Sequence, residues 1–371
     1  MLKRFSVYNF KGFDQELVLD LGNPANYEFN SEIIRDNCIT KGIVYGINGS
    51  GKSNLALALF DIILHLTDKE RALDKYQPYT NLGLTDEIAK FEYSFVFDGI
   101  SVVYRYGKTG PLSLVYERLI IKDQEMLSYD YIKQEGFSKL LGTENLQLSS
   151  STLNGIGQLS RVKYVKSNAL LVDNEENRAF RSFVSFVDNM LMFYSLDQKR
   201  YQGFTVGVES YTHGIIEAGK LKEFESFLRE QDIDYKLVSL DMNGISELFC
   251  KFPRKTVPFV SIASTGTQSL ALFYYWYIKM EQASLVFIDE YDAFYHFELS
   301  QGIVELIKKL DKTQVIISTH NTDLLSNDLL RPDAYYLLKD NRIRSLDKIA
   351  EKELRRAHNI QKMFKAGAFD E

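Results

Sequence analysis

The eight residues GINGSGKS, at positions 46–53, restrict the possible fold more than any other segment of this 371-residue chain. They fit the pattern G-x-x-x-x-G-K-[ST], in which a glycine-rich loop presents backbone N–H groups to phosphate oxygens. The run KGIVYG predicts an apolar strand before the loop, and SNLALALFDIILHL predicts a helix after it. A glycine-rich turn that matches by chance would not need both neighbours, so we predict a phosphate-binding loop in an α/β fold.

Each part of this loop has a physical role. Gly49 and Gly51 allow the backbone to curl so that successive N–H groups point inward, and the helix that begins near Lys52 adds the positive end of its dipole. Lys52 is predicted to reach the β- and γ-phosphates of ATP, and the Ser53 hydroxyl to hold Mg²⁺. The predicted nucleotide-binding residues of this segment are Asn48, Gly49, Ser50, Gly51, Lys52, Ser53 and Asn54.

A second apolar strand, SLVFIDE, ends in the carboxylates Asp289 and Glu290. Alone, such a pair is more simply a solvated strand end, but a phosphate-binding loop needs an acidic partner for its metal ion. Asp289 is therefore predicted to bind Mg²⁺, and Glu290 to orient or deprotonate the attacking water.

A third apolar strand, QVIISTH, ends at His320. A lone histidine is more often structural than catalytic. The carboxyl end of a strand, however, is where α/β sheets bind ligands, and this favours a functional interpretation. We predict that His320 is a catalytic residue that senses the γ-phosphate.

The segment ASTGTQ, at positions 263–268, precedes the apolar run SLALFYYWY. As local structure it predicts a helix start, with Ser264 or Thr265 as N-cap and Gln268 close to the spacing of a capping box. The aromatic residues that follow are more simply core residues that fix the helix.

Taken in chain order, GINGSGKS, STGTQ, LVFIDE and STH resemble the motif set of an ATP-binding-cassette (ABC) ATPase. The spacing is not that of a transporter, because the first motif is near the N-terminus and the other three are near the C-terminus. It resembles the head domain of SMC-type chromosome proteins, and more closely the short ATPases of the OLD (overcoming lysogenization defect) type. The segments VYNFKGF and LRRAHNIQKMFKAGAFDE, and His296 after DEYDAFY, suit that branch. The resemblance covers roughly residues 1–125 and 232–371.

This resemblance implies ATP and Mg²⁺ as ligands and a twofold-symmetric dimer of heads. Each ATP would lie between the phosphate loop of one subunit and the signature segment of the other. Ser264 and the Gly266 amide would contact the γ-phosphate across that interface, and Asp292 would link the two sites.

The chain departs from the family pattern in two places. Thr265 replaces the first glycine of the usual Ser-Gly-Gly. The glutamine that normally follows the first lobe is not assignable among Gln124, Gln134, Gln147 and Gln158.

The resemblance and the order of the predicted strands and helices together predict an α/β ABC ATPase head. It has a mixed β lobe, a parallel-sheet RecA-like core and a short helical insertion. The predicted head is discontinuous, at 1–160 and 232–371, and the insertion is 161–231. Within the insertion, NRAFRSFVSFVDNMLMF is typical of a helix. Between FEYSFVF and ISVVYRY, Asp98-Gly99 is a strong hairpin signal.

Composition excludes several classes of protein. The N-terminus lacks the apolar core of a secretory signal, and the longest apolar run, at 270–278, is too short to span a membrane. Cys38 and Cys250 are too few for a disulfide framework and are expected to be buried thiols of a cytoplasmic protein. The net charge of −6 argues against extensive nucleic-acid coating.

Only 51 residues follow His320, and they lack the carboxylate cluster of the nuclease domain that larger OLD-type proteins carry. We therefore expect an ATPase that controls a separate effector, a nuclease or toxin, in a bacterial phage-defence or toxin–antitoxin-like system. The alternative is an SMC-like ATPase that binds DNA in repair or maintenance. A structural module that binds nucleotide without turnover is a third hypothesis, which Glu290 and His320 disfavour. The basic stretch 331–365 is mostly a solvated surface in this interpretation, with a partner contact favoured over a phosphate contact.

Overall fold

The computed structural model describes residues 1–69, 73–148, 159–194, 200–203, 211–242, 244–291 and 297–369. The strands in these ranges are β1 (Leu2–Tyr8), β2 (Leu17–Asp20), β3 (Ile34–Arg35), β4 (Cys38–Ile39), β5 (Lys41–Tyr45), β6 (Ala89–Phe97), β7 (Ile100–Gly110), β8 (Ser113–Ile121), β9 (Gln124–Asp130), β10 (Glu135–Ser138), β11 (Met190–Tyr194), β12 (Arg200–Gly203), β13 (Leu237–Met242), β14 (Ile245–Lys251), β15 (Thr256–Pro258), β16 (Leu285–Asp289), β17 (Gln314–Thr319), β18 (Tyr335–Lys339) and β19 (Arg342–Ser345).

The α-helices in the same ranges are α1 (Lys52–Phe60), α2 (Ile63–Leu66), α3 (Arg161–Asn168), α4 (Glu175–Asp188), α5 (Tyr211–Glu217), α6 (Leu221–Glu230), α7 (Phe259–Ile262), α8 (Thr265–Met280), α9 (Phe297–Lys308), α10 (Leu346–Ile349) and α11 (Ile360–Lys365). Short 3₁₀ helices occur at Ser31–Ile33, Leu73–Tyr76, Thr322–Leu324 and Pro332–Ala334.

The chain divides into two compact units. The first comprises Met1–Val206, Ser284–Tyr291 and Gln314–Glu371, and the second comprises Gly207–Ala283 and Asp292–Thr313. The phosphate loop and the ends of β16 and β17 belong to the first unit, and the segment that begins α8 belongs to the second. The predicted division into a head and an insertion at 161–231 has other boundaries and stays a prediction.

The first unit contains a seven-stranded sheet with the order β10-β9-β8-β7-β6-β1-β2. The pairings described in this sheet are antiparallel. Asp98 and Gly99 form the turn between β6 and β7 with φ angles of 50° and 79°, and Phe97 lies opposite Ile100. The hairpin predicted from Asp98-Gly99 is therefore present, because these two residues tolerate the left-handed conformation that a tight two-residue turn requires.

A second seven-stranded sheet of the same unit has the order β12-β11-β16-β17-β5-β18-β19. The five central strands run parallel, and the edge strands β12 and β19 are antiparallel to their neighbours. β17 lies between β16 and β5, so the strand ends that carry the three sequence motifs are adjacent at one edge of the sheet. A β lobe and a mainly parallel core confirm the predicted α/β fold class.

Helix α1 has no solvent-facing side after its first turn. The side chains from Leu55 through Phe60 are all buried, as is that of Lys52. The helix contacts β16 and β11 of the parallel sheet, and the Tyr93 hydroxyl on β6 of the antiparallel sheet donates to the carbonyl oxygens of Ala58 and Leu59. A helix that is apolar all round is suited to this position between two sheets.

The C-terminal end of α1 is fixed by a buried polar cluster around Asp61. The Lys108 Nζ donates to Asp61 Oδ1 at 2.6 Å, and both side chains are fully buried. Tyr106 also donates to Oδ1, and Tyr79 donates to Oδ2. These contacts join the residue after α1 to β7, and they compensate a carboxylate that would be costly to bury alone.

The prediction of one helix through NRAFRSFVSFVDNMLMF is wrong for its last four residues. Helix α4 ends at Asp188, and Met190–Tyr194 forms β11, which pairs in parallel with β16. Met190, Leu191, Met192 and Phe193 are each at most 1% exposed. Fully apolar runs of this length fit a buried strand as well as a helix, so periodicity alone does not separate the two. The segment 161–231 therefore contains strands of the parallel sheet as well as helices.

The second unit contains an antiparallel sheet with the order β13-β14-β15 and the helices α5 to α9. Helix α8 packs on α5, and Phe273 and Trp276 of α8 are buried. These two aromatic side chains are core residues, as the apolar pattern predicts, whereas Tyr277, predicted with them, is only half-buried. Across the described residues of both units, no helix combines the length and apolarity needed to cross a membrane.

Candidate nucleotide-binding site

The loop between β5 and α1 has the backbone that its glycines predict. Gly49 and Gly51 have φ angles of 83° and 103°, in the left-handed region that favours glycine. Gly46 is required for space, because a Cβ atom there would lie 2.2 Å from Ser50 Oγ and 2.9 Å from the Leu338 carbonyl oxygen. The loop is therefore curled tightly against β18.

The side chains of Lys52 and Ser50 lie inside the curve of the loop. Lys52 is 4% exposed, and its Nζ donates to the carbonyl oxygens of Gly46 at 2.8 Å and of Ile47 at 3.2 Å. The Ser50 Oγ is buried and has no hydrogen-bond partner among the described residues. A curled loop that contains an ammonium group and an unused hydroxyl fits a phosphate group, which accepts hydrogen bonds from both.

The loop is joined to the end of β16 by one hydrogen bond. The Ser53 Oγ donates to Asp289 Oδ2 at 2.6 Å, and Asp289 is 8% exposed. A hydroxyl and a carboxylate at contact distance beside a phosphate loop are the hard oxygen donors that Mg²⁺ prefers. The two residues predicted to hold the metal ion are thus brought together, although they lie far apart in the sequence.

Sequence reasoning missed Ser318, which is fully buried in β17 next to Asp289. Its Oγ donates to Asp289 Oδ1 at 2.6 Å, and it accepts the backbone N–H of Glu290 at 2.9 Å. Its only signal in the sequence is its place in the STH motif, two residues before His320. The pairing of β17 with β16, which brings it to Asp289, is seen only in the structure.

Glu290 has a φ angle of 46°, which is uncommon for a residue other than glycine. The next residue, Tyr291, donates its backbone N–H to the Ser318 carbonyl oxygen at 3.3 Å. Strand β16 therefore ends in a turn that is held by β17, and the half-buried Glu290 lies in that turn beside the Asp289 carboxylate. Left-handed residues of this kind concentrate at functional sites.

His320 follows the last residue of β17 and is exposed. The Thr319 hydroxyl before it accepts the Asn321 backbone N–H at 2.9 Å. Thr319, the last residue of β17, pairs with Tyr45, the last residue of β5. His320 therefore follows β17 at the level where the phosphate loop follows β5.

In the second unit, Ser264 is the N-cap of the 16-residue helix α8. Its Oγ accepts the Thr267 N–H at 3.2 Å and lies 2.9 Å from the Thr267 hydroxyl. The predicted capping box with Gln268 is wrong, because the Gln268 amide donates backward to the carbonyl oxygens of Ala263 and Val260. Ser264 is exposed and Gly266 half-exposed, so this helix start is accessible to solvent.

Not every predicted residue can be placed relative to the site. Asp292, His296 and Gln158 lie outside the described residues. Gln124 begins β9, and Gln134 lies in the turn between β9 and β10 with a φ angle of 59°. Gln124 belongs to the antiparallel sheet, Gln134 to a turn between two of its strands, and the exposed Gln147 follows β10. None of the three lies on a strand that carries a motif, so the glutamine of the family pattern stays unassigned.

The adjacent ends of β5, β16 and β17, with the loop that follows β5, define a P-loop nucleotide-binding site. The family model described as "AAA domain, putative AbiEii toxin, Type IV TA system" matches residues 43–326, which is more than half of the chain. The chain belongs to this family, and the membership confirms its recognition as an ABC-type ATPase.

Solved structures of SMC head domains are similar to this chain. The SMC head domain from Thermotoga maritima matches with 14% identity and a TM-score of 0.44, over 92% of this chain and 97% of that chain. An Smc head bound to the C-winged helix domain of ScpA matches with 15% identity and a TM-score of 0.46, over 94% and 99%. An Smc head with an extended coiled coil, bound to the C-terminal domain of ScpA derived from Pyrococcus furiosus, matches with 13% identity and a TM-score of 0.46, over 94% and 97%. The search of curated proteins finds no match.

Proposed function

We propose that this protein binds ATP with Mg²⁺ and hydrolyses the γ-phosphate. The observation that carries the proposal is the 2.6 Å hydrogen bond from Ser53 to Asp289, which joins the phosphate loop to the carboxylate end of β16. Family membership supports it, because the matched family is one of ATPases.

In this proposal each side chain has one task. The loop N–H groups and Lys52 bind the phosphates, and Ser53 and Asp289 hold the metal ion, whose charge would offset that of the β- and γ-phosphates. Glu290 orients the attacking water and takes its proton, which the turn after β16 favours by fixing its backbone. His320 senses the γ-phosphate from the end of β17.

We further propose that two copies close around two ATP molecules. The exposed start of α8 supports this, because its Ser264 hydroxyl and Gly266 N–H are available to a second subunit's γ-phosphate. Asp292 is the proposed link between the two sites. Closure would then depend on ATP, and hydrolysis would reset it.

The output that we propose is control of a separate effector protein, a nuclease or toxin, in a phage-defence or toxin–antitoxin-like system of the cytoplasm. The description of the matched family supports this direction, because it refers to a type IV toxin–antitoxin system. The short OLD-type resemblance of the motifs points the same way.

A second candidate is a DNA-binding ATPase in repair or maintenance. Lys339, Arg342 and Arg344 lie on one face of the β18–β19 hairpin and line a cavity of about 270 Å³. Lys339 lies directly opposite Arg342. Asp340 also lines this cavity, so three cations and one carboxylate surround it. This excess of positive charge favours an anionic partner, which for this candidate is the DNA backbone.

One experiment tests both candidates. ATP hydrolysis by the wild type and by Lys52→Ala would be measured with and without duplex DNA at several salt concentrations. Tagged Glu290→Gln and Lys52→Ala proteins would also be recovered from the native host with ATP. Activity that is insensitive to DNA, with one protein that co-purifies with only one variant, supports the effector proposal. DNA stimulation that falls steeply with salt, without a protein partner, supports the DNA candidate. No hydrolysis under any condition contradicts both.

A further inference from the structure

We propose that Ser318 is a positioning residue for ATP hydrolysis, which sets the orientation of both the metal-binding carboxylate and the turn that carries the general base. This inference rests on the proposed function. Ser318 lies in the strand between the other two motif strands, and it touches neither phosphate nor water in the proposal.

The first part of the argument is the contact with Asp289. The Ser318 hydroxyl occupies Oδ1 of this carboxylate at 2.6 Å, while Ser53 occupies Oδ2 at the same distance. With one oxygen held from β17, rotation of the carboxylate is restricted, and Oδ2 stays directed toward the phosphate loop. A metal ligand whose other oxygen is hydrogen-bonded in this way binds in a fixed geometry.

The second part is the contact with Glu290. The same Ser318 oxygen accepts the Glu290 N–H at 2.9 Å, at the residue whose φ angle is 46°. This backbone conformation is strained for glutamate and persists only if the surroundings hold it. Ser318 holds it through two atoms, because its carbonyl oxygen also accepts the Tyr291 N–H. Ser318 therefore couples the orientation of Asp289, the proposed Mg²⁺ ligand, to that of Glu290, the proposed general base.

The third part is the buried position of this hydroxyl, whose contacts among the described residues are those with Asp289 and Glu290. Ser318 is fully buried, and a serine at a buried strand position is less favourable than a β-branched apolar residue. Its neighbours in β17, Ile316 and Ile317, are of that apolar kind. The hydroxyl is therefore explained by its contacts with Asp289 and Glu290 rather than by packing.

Ser318→Ala tests the proposal. We expect kcat for ATP to fall by about 10- to 100-fold, because Asp289 Oδ1 and the part-buried Glu290 N–H both lose the Ser318 hydroxyl. The affinity for ATP without metal should stay unchanged, and half-saturation should need more Mg²⁺. Ser318→Thr restores a hydroxyl and should recover most of the activity, whereas Ser318→Cys keeps the side-chain size with a weak donor and should resemble the alanine variant.

Ser160→Ala is the matched control. Ser160 is also fully buried, donates to a buried carboxylate, Glu117 Oε2, at 2.8 Å, and accepts a backbone N–H from Lys163 at 3.2 Å. It lies at the start of α3, away from the motif strands. We expect this variant to lower Tm without changing kcat or the Mg²⁺ requirement.

The outcomes separate the two proposals. If wild type and Ser318→Ala hydrolyse ATP with equal kcat and equal Mg²⁺ dependence, the positioning role is wrong and the ATPase proposal stands. The positioning role is also wrong if Ser160→Ala loses as much kcat as Ser318→Ala. If the wild type does not hydrolyse ATP, the proposed function fails. The positioning role is then tested by the Mg²⁺ concentration at which a non-hydrolysable ATP analogue raises Tm, which should be higher for Ser318→Ala.

Discussion

Lys52 and Ser53 are neighbours in the chain, but their side chains have different partners. Lys52 turns back to the carbonyl oxygens of Gly46 and Ile47, whereas Ser53 reaches the carboxylate of Asp289. At the scale of single residues, the site therefore separates the group that would bind phosphate from the group that would bind the metal ion.

Lys52→Ala should weaken ATP binding by roughly 100-fold or more, because charge-assisted contacts to two phosphates are lost. Binding would be measured by calorimetry with ATP and Mg²⁺. Lys133→Ala, which removes an exposed lysine in the antiparallel sheet, should bind as the wild type does. Micromolar affinity retained by Lys52→Ala would show that this lysine does not bind the phosphates.

Glu290→Gln should reduce kcat by about 10²–10⁴-fold and leave ATP bound, because the amide cannot take the proton from water. The backbone N–H that bonds to Ser318 is unchanged by this substitution. Single-turnover hydrolysis and retained nucleotide would be measured together, with Glu351→Gln as an exposed control. Turnover near the wild-type rate would mean that another residue positions the water.

Most single residues of the site are predictable from the sequence, and Ser318 is not. Lys52 and Ser53 belong to a motif with fixed spacing, and Asp289 ends an apolar strand, so their positions carry local signals. Ser318 belongs to the STH motif, but that motif directs attention to His320 and gives no partner for a serine inside the strand. The contact between Ser318 and Asp289 exists only because β17 pairs with β16. These two strands are far apart in the sequence, joined by a long connection. The left-handed φ angle of Glu290 likewise depends on that neighbour.

At the scale of elements, the start of α8 combines a structural and a proposed functional role in one residue. Ser264 caps the helix, and the same hydroxyl is the group proposed to face a second subunit's nucleotide. The element was predictable because an N-cap residue precedes a long apolar run. β11 was not, because five apolar residues after α4 suit either a helix or a strand.

Ser264→Arg should leave ATP binding intact and prevent ATP-dependent dimerisation, because a long cation would occupy the space of the partner's phosphate loop. Dimerisation would be followed by light scattering with ATP in the Glu290→Gln background. Loss of the helix cap alone costs about 1 kcal/mol of stability. Asn174→Ala is the control for that loss, because Asn174 caps α4 by accepting the Asn177 N–H. Dimerisation that is unchanged in Ser264→Arg would refute the two-subunit site.

At the scale of the whole molecule, the buried cluster around Asp61 ties the nucleotide-binding helix to the antiparallel sheet of the first unit. Burial raises the pKa of the Asp61 carboxyl, and the ammonium group of Lys108 opposes this increase.

The boundaries of the two units were not predictable, because they depend on which strands pair rather than on composition or linkers.

Lys108→Met should destabilise the protein by about 3–5 kcal/mol at neutral pH, because a buried carboxylate loses its cation. A carboxyl whose pKa is raised in the folded state stabilises the fold at low pH and loses that contribution as pH rises through the folded pKa. The difference in the free energy of unfolding between the wild type and Lys108→Met should therefore become smaller as pH falls. Urea unfolding from pH 5 to pH 8 measures it, and the double variant with Asp61→Asn should be less destabilised. A deficit that does not change with pH would contradict this account.

Helix α1 connects these scales, since it starts at the phosphate loop, is buried on every side after its first turn and ends at the Asp61 cluster. In evolutionary terms, the side chains after its first turn are constrained by their surroundings and not by the nucleotide. A descendant that lost hydrolysis would still be selected to keep Leu55 to Phe60, because both sheets pack on them. Retention of Leu55 to Phe60 in a relative therefore says little about catalysis, whereas loss of the contact between Ser53 and Asp289 would indicate that metal binding is no longer needed.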